Sequence, residues 1–176
     1  MRWTARILLT VTAILTYVPL NGQTEFKGYA FNPKAGLCVG KNWWGFGAGL
    51  EFNLITNQSL FSFDVYLCHD FSLFGDSNVK FRQLGILFGK YIGTRQLRLQ
   101  YEGGIAPTWG TKKGYYTDTD YVEEEDYLTL GLTAKIGLKI LLSHSVSFGA
   151  DIQGNLNPKN PMFFPSVSIE IGRLKE

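Results

Sequence analysis

The chain has 176 residues, enough for one domain or one small barrel and too few for two domains of ordinary size. Its 17 Lys and Arg stand against 15 Asp and Glu, and Arg2 and Arg6 lie within the first 22 residues, which hold no acid, so the remainder is neutral. A neutral body gives nucleic acid no cationic field to bind. No later stretch is apolar enough to span a bilayer as a helix, which leaves a closed barrel as the only membrane form.

Residues 1–22 place two arginines ahead of an apolar stretch from Ile7 to Leu20 and close on Leu20-Asn21-Gly22. This predicts a secretory signal peptide cleaved near Gly22, with residues 23–176 forming a single β-barrel domain. The rest of the chain reads as strands. Phe46, Ala48, Leu50, Phe52 and Leu54 alternate with Gly45, Gly47, Gly49, Glu51 and Asn53. Phe61, Phe63, Val65 and Leu67 alternate with Ser62, Asp64, Tyr66 and Cys68, and Leu97, Leu99 and Tyr101 with Arg98, Gln100 and Glu102. The longest run, Tyr127 to Leu142, has every even position from Leu128 apolar, with Lys135 and Lys139 on the other phase. Two more follow: Val146, Phe148, Ala150 and Ile152 against Asp151 and Gln153, and Val167, Ile169 and Ile171 against Glu170. A period of two is the mark of a strand with one greasy face.

The predicted strands are residues 28–41, 44–55, 59–71, 79–92, 96–107, 126–142, 146–156 and 163–173. Residues 79–92 are the least regular, because Lys80, Arg82 and Lys90 share the phase of Leu84, Ile86 and Phe88. A bulge, or basic residues at membrane rims, accounts for that. Short connectors at Thr56–Gln58, Gly93–Arg95 and Ser143–Ser145 alternate with long ones at Ser72–Asn78, Thr108–Glu125 and Asn157–Met162, the exception being the short first outer connection near Asn42 and Trp43. Outer-membrane barrels have this rhythm, with tight periplasmic turns and longer external loops. The expected fold is an all-β, eight-stranded antiparallel up-and-down transmembrane barrel in the outer membrane.

Alternation does not by itself say which face is inside. A membrane barrel turns its apolar set to lipid, so Glu51, Asp64, Arg98, Glu102, Lys135, Lys139, Asp151 and Glu170 become an interior polar network that plugs the lumen. A soluble, lipocalin-like periplasmic or secreted barrel turns the apolar set inward around an apolar ligand. Trp43, Trp44, Trp109, Tyr91, Tyr101, Tyr115, Tyr116, Tyr127, Phe163 and Phe164 fall mostly at predicted strand ends, where membrane barrels carry aromatic girdles. Strand length and loop parity favour the membrane form.

Leu84-Gly85-Ile86-Leu87-Phe88-Gly89-Lys90, Gly103-Gly104-Ile105 running into Trp109-Gly110-Thr111-Lys112-Lys113-Gly114, Asn155-Leu156-Asn157-Pro158, and Ile169-Glu170-Ile171-Gly172-Arg173-Leu174 form a loose set of strand-and-turn motifs. On these motifs, roughly its C-terminal half, the chain resembles small porin-like outer-membrane β-barrel proteins of the Bacteroidota type. The resemblance implies a fold and an outer-membrane address, and no activity.

Candidate chemistry is sparse. His69 and His144 fall at opposite ends of the predicted barrel, so no nucleophile, base and acid converge, and a lipid-modifying barrel enzyme is the weakest of the three readings. Cys38 and Cys68 lie in the first and third strands, which are not neighbours; export permits a bridge between them, and the sequence leaves it open. No pattern calls for a cofactor or a metal. Tyr115, Tyr116, Asp118, Asp120 and Tyr121, in the longest loop, form the best candidate surface for an unknown protein or glycan partner. Lys112 and Lys113 beside them suit lipid phosphate. The expected role is structural or surface-interactive rather than catalytic, with outer-membrane lipid as the constant partner.

Overall fold

The computed structural model describes residues 26–41, 43–57, 59–71, 79–94, 96–112, 115–116, 121–122 and 125–174. The expected signal peptide, residues 1–22, lies outside them. Eight long antiparallel strands of 11 to 17 residues close into a barrel: β1 (Phe26–Gly40), β2 (Trp44–Thr56), β3 (Ser59–Asp70), β4 (Lys80–Gly93), β5 (Leu97–Lys112), β8 (Glu125–Leu141), β9 (Val146–Leu156) and β10 (Met162–Arg173). Each pairs with its neighbour along the chain, and β1 closes the ring against β10. A two-stranded ribbon, β6 (Tyr115–Tyr116) with β7 (Tyr121–Val122), rises from the connection between β5 and β8. That ribbon was not expected from the sequence.

The three short turns share one device. Thr56 Oγ1 accepts from the Ser59 amide, Thr94 Oγ1 from the Leu97 amide at 3.3 Å, and Ser143 Oγ from the Ser145 and Val146 amides at 3.1 Å. A short hydroxyl side chain thus satisfies amides that the ending ladder leaves free. Gly93 precedes the second turn with φ of 152°, a conformation that side-chain-bearing residues rarely adopt. These turns and both described chain ends lie at one end of the barrel, the turn end. The longer connections, together with the short β1–β2 connection at residues 41–43, mark the other, the loop end.

β5 runs to Lys112, five residues past its predicted end. Pro107, which has no amide to donate, does not end the strand. The ladder to β8 is continuous through Pro107 opposite Leu130, while the β4 side loses its pairs at Leu84 and Gly85. Pro33 and Pro165 behave alike. Each keeps its ladder on one side, and the β1–β10 seam is interrupted beside both. β4 has an unbroken register with β3 and holds no bulge, so Lys80, Arg82 and Lys90 lie near the ends of its outward face.

Leu130, Leu132 and Ile136 are 61%, 66% and 62% exposed, and Phe52 and Phe63 are 40% and 48% exposed. The apolar face therefore points outward on every strand, and the polar face fills the lumen.

Candidate functional site

The lumen is filled in three tiers. At the turn end, Ala30, Ile55, Leu60 and Leu174 form an apolar floor with Tyr91 and Leu141 against it. Above it, Lys34, Glu51, Asp64, Arg98, Glu102, Lys135, Lys139, Asp151 and Glu170 are all buried. At the loop end, Cys38, Tyr66, Cys68, Phe81, Tyr127, Met162 and Phe164 form an apolar cap with Trp43 packed on it.

The middle tier is a set of ion pairs, some between neighbouring strands and two, Lys135–Glu51 and Arg98–Glu170, across the lumen between strands that are not neighbours. Lys135 Nζ on β8 lies 2.5 Å from Glu51 Oε2 on β2 and 2.6 Å from Glu102 Oε1 on β5. Lys34 on β1 reaches the same Glu51 oxygen at 2.5 Å, and Asn32 Nδ2 donates to its other oxygen. The Ser62 hydroxyl lies between the Glu102 carboxylate and Asn53 Oδ1, the latter 2.6 Å away. Asn53 Nδ2 donates to Glu170, which also pairs with Arg98 and accepts from Ser147 at 2.7 Å. Lys139 forms a separate triad, 2.7 Å from Asp151 Oδ2 and 2.6 Å from Ser168 Oγ, with Ser168 donating to Asp151. Asp64 meets amides rather than a cation: Gln83 Nε2 and Gln153 Nε2 both donate to it. Gln83 Oε1 in turn accepts from Tyr66 Oη and Asn155 Nδ2 at 2.7 Å each.

The arrangement follows from the strand pattern. On β8 the outward set is apolar, so the intervening Lys135 and Lys139 must face in, and an unpaired ammonium there would be very costly. Glu51 across the lumen and Glu102 on β5 answer Lys135, and Asp151 on the adjacent β9 answers Lys139. Four bases and five acids fill the tier among the described residues. Lys34 belongs to this set and was not among the sequence candidates. Its signal was the phase shared by Asn32, Lys34, Gly36 and Cys38, obscured by Pro33.

The cap holds the disulfide that the sequence left open. Cys38 and Cys68 are joined, with Cα atoms 6.1 Å apart, although β2 lies between their strands. Gly47 of β2 makes the crossing possible. A Cβ there would lie 2.5 Å from Cys38 Sγ and 2.9 Å from Cys68 Sγ, so only glycine leaves the bridge its path over the strand. Tyr66 stacks between Phe81 and Phe164 beneath it, with ring centroids 5.8 and 5.1 Å away. Trp43 Nε1 donates to Asn160 Oδ1 at 2.9 Å, and Asn160 Nδ2 donates to Tyr127 Oη. Trp43, Tyr127 and Phe164, expected in a girdle, thus face the lumen. Trp44, Tyr101 and Phe163 do stand outward, and Trp44 packs with Phe46 and Phe71 at the loop end.

Of the loop candidates, Tyr115, Tyr116 and Tyr121 belong to the β6–β7 ribbon, while Asp118 and Asp120 lie outside the described residues. His69 is exposed on the outward face near the loop end, opposite Phe46 and Lys80, and His144 lies in the turn between β8 and β9. The structure brings neither to a nucleophile–acid pair. Among the described residues no cluster of His, Cys, Asp and Glu could hold a metal ion.

No protein-family model matches the chain, and no curated protein sequence does. Solved structures do match. Neisserial surface protein A aligns with a TM-score of 0.65 at 11% identity, over 82% of this chain and 96% of its own. The N-terminal β-barrel domain of Pseudomonas aeruginosa OprF aligns at 0.60 and 11% identity, covering 85% and 99%. The attachment invasion locus protein Ail of Yersinia pestis, in complex with the heparin analogue sucrose octasulfate, aligns at 0.58 and 10% identity, covering 84% and 99%. At such identities the likeness is one of fold: this chain is an eight-stranded antiparallel β-barrel of the outer-membrane type.

Proposed function

We propose that the chain is an exported, non-catalytic outer-membrane barrel with a structural or surface-interaction role. One observation carries the reading: the barrel is apolar outside and ion-paired inside. A belt of exposed Leu, Ile, Val and Phe on every strand would be untenable in water and suits lipid, while every strand reaches or exceeds the roughly 9 to 11 residues that cross a bilayer. A lumen filled by paired side chains has no room for the apolar ligand that a lipocalin-like barrel needs. The turn end then faces the periplasm and the loop end the exterior, and the motif resemblance favours the Bacteroidota type.

Carbonate extraction of washed membranes tests the address; release of the mature protein into the soluble fraction would overturn it. Planar-bilayer recording of purified protein tests the plug. It should stay near the leak level, and robust single-channel currents would make the charged set a pore lining instead. N-terminal sequencing of the mature protein should begin near Gln23.

The external loop with Tyr115, Tyr116, Asp118, Asp120 and Tyr121 is the proposed partner-binding surface. Ail was crystallised with a sulfated heparin analogue. The loop here carries Asp118, Asp120, Glu123 and Glu124, with Glu125 and Asp126 at the start of β8, the wrong sign for a polyanion, so a cationic or neutral protein or glycan surface fits better. Deleting residues 114–124 should abolish binding to intact target surfaces without changing the carbonate-resistant fraction; retained binding would remove the loop from this role.

A further inference from the structure

We infer that the connection from β9 to β10, residues 157–161, is a latch over the loop end of the lumen, and that buried Asp64 on β3 holds it shut through a single file of side-chain amides. The latch is a property of the barrel itself and needs no membrane to operate.

The file begins in the connection. Asn157 Oδ1 accepts from the backbone amides of Lys159 and Asn160 at 3.0 and 2.7 Å, a turn that folds the chain back on itself, and Asn157 Nδ2 donates to the Asn160 carbonyl at 2.8 Å. From there the bonds lead inward. Asn157 Nδ2 also donates to Asn155 Oδ1 at 2.8 Å, Asn155 Nδ2 to Gln83 Oε1 at 2.7 Å, and Gln83 Nε2 to the two Asp64 oxygens at 3.4 and 3.3 Å. Asn155, Gln83 and Asp64 are all buried, on β9, β4 and β3. Inward glycines leave them room: a Cβ at Gly85 would collide with Asp64 Oδ1, and one at Gly131 with Asn155 Oδ1.

The two ends dictate the direction. A backbone N–H only donates and a carboxylate only accepts, so every amide between them must receive on its oxygen and give with its nitrogen. Such a file is polarised from end to end, and each bond strengthens the next. Side branches lock its lumenal end, where Gln83 Oε1 also accepts from Tyr66 Oη and Gln153 Nε2 also donates to Asp64. Asn160 closes the outer end. It accepts from Nε1 of Trp43, which packs on the cap, and donates to Tyr127 Oη within it. Lifting the connection therefore uncovers the cap and breaks the file at its first bond. The coupling runs both ways: a contact that displaces residues 157–161 loosens the amides around Asp64, and loss of the Asp64 carboxylate loosens the latch. Asp151 supplies the contrast. It lies on β9 with Asn155 but pairs with Lys139 and Ser168, off the file.

The test is hydrogen exchange, followed by NMR on mature protein refolded in zwitterionic micelles, at the Asn160 amide and the Trp43 indole N–H. Rates are read relative to the Glu102 amide in the mid-barrel ladder, which reports opening of the whole barrel. Asp64→Ala should raise both relative rates about tenfold, because Gln83 Nε2 loses its acceptor. Gln83→Met, close to isosteric, cuts the file one bond further out and should do the same while leaving Asp64 in place. Asp64→Asn keeps an acceptor oxygen and should restore most of the protection. In the Asp64→Ala/Gln83→Met double variant the rates should match Gln83→Met alone, since a file already cut is not cut again. Asp151→Ala should leave both relative rates within about twofold of the wild type. Unchanged rates in Asp64→Ala or Gln83→Met, no rescue by Asp64→Asn, an equal rise in Asp151→Ala, or multiplied effects in the double variant would each overturn the latch.

Discussion

The middle of the lumen and its loop-end cap solve one packing problem by different means. In the middle, Lys135 ties β8 to β2 across the lumen as well as to its neighbour β5, and Arg98 ties β5 to β10, so buried charge cross-links strands that the ladders leave apart. In the cap, one covalent bond and a stack of rings join β1, β3, β4 and β10. Removing one member of the ionic tier strands a buried charge. Removing one member of the cap leaves a hole or a free hydrogen-bonding group. The first error is electrostatic and spreads to every partner, whereas the second is local and scales with volume.

Urea unfolding of micelle-refolded protein separates the two. Lys135→Met should have the largest effect, about 3–5 kcal/mol, because Glu51 and Glu102 lose their shared cation at once. Adding Glu102→Gln, which leaves Glu51 paired with Lys34, should recover part of that loss, and a double variant no more stable than the single one would show that shape rather than charge governs the middle. Replacing both cysteines by alanine should cost about 2–4 kcal/mol, as expected for a closed loop with a sequence separation of 30. Gly47→Ala should cost about 1–3 kcal/mol in the oxidised protein by overpacking the bridge, and clearly less in the Cys-free background. An equal cost in both backgrounds would assign Gly47 a role apart from the disulfide. Trp43→Phe, which removes the bond to Asn160 and part of the ring packed on the cap, should cost about 1–2 kcal/mol.

How much of this was legible depends on which physical constraint each feature obeys. The strands were readable because outward apolar and inward polar positions alternate along each strand, and that pattern needs no partner to be seen. The inward phase of β2, β3, β5, β8, β9 and β10 carried Glu51, Asp64, Arg98, Glu102, Lys135, Lys139, Asp151 and Glu170 with it. Lys34 escaped because Pro33 breaks the rhythm of β1. The inward turn of Trp43, Tyr127 and Phe164 escaped because an aromatic at a strand end can face either way, and only the Asn160 bonds and the stack on Tyr66 decide it. The bridge escaped because it needs the register that sets Gly47 opposite Cys68. Periodicity fixes faces; it does not fix register.

That bridge also carries a chronology. Cys38 and Cys68 are 0% and 1% exposed beneath the Trp43–Asn160 contact, so in the closed barrel neither an oxidant nor a reductant can approach the sulfurs. Both cysteines lie in the first three strands, whereas the ring is sealed only when β1 meets β10, the first described strand and the last. The bond is therefore most accessible while the sheet is still open, and under the proposed export it would form by thiol–disulfide exchange with an oxidant met before the barrel closes. Closure then locks it away, so that the finished barrel keeps an oxidation state set before the barrel existed.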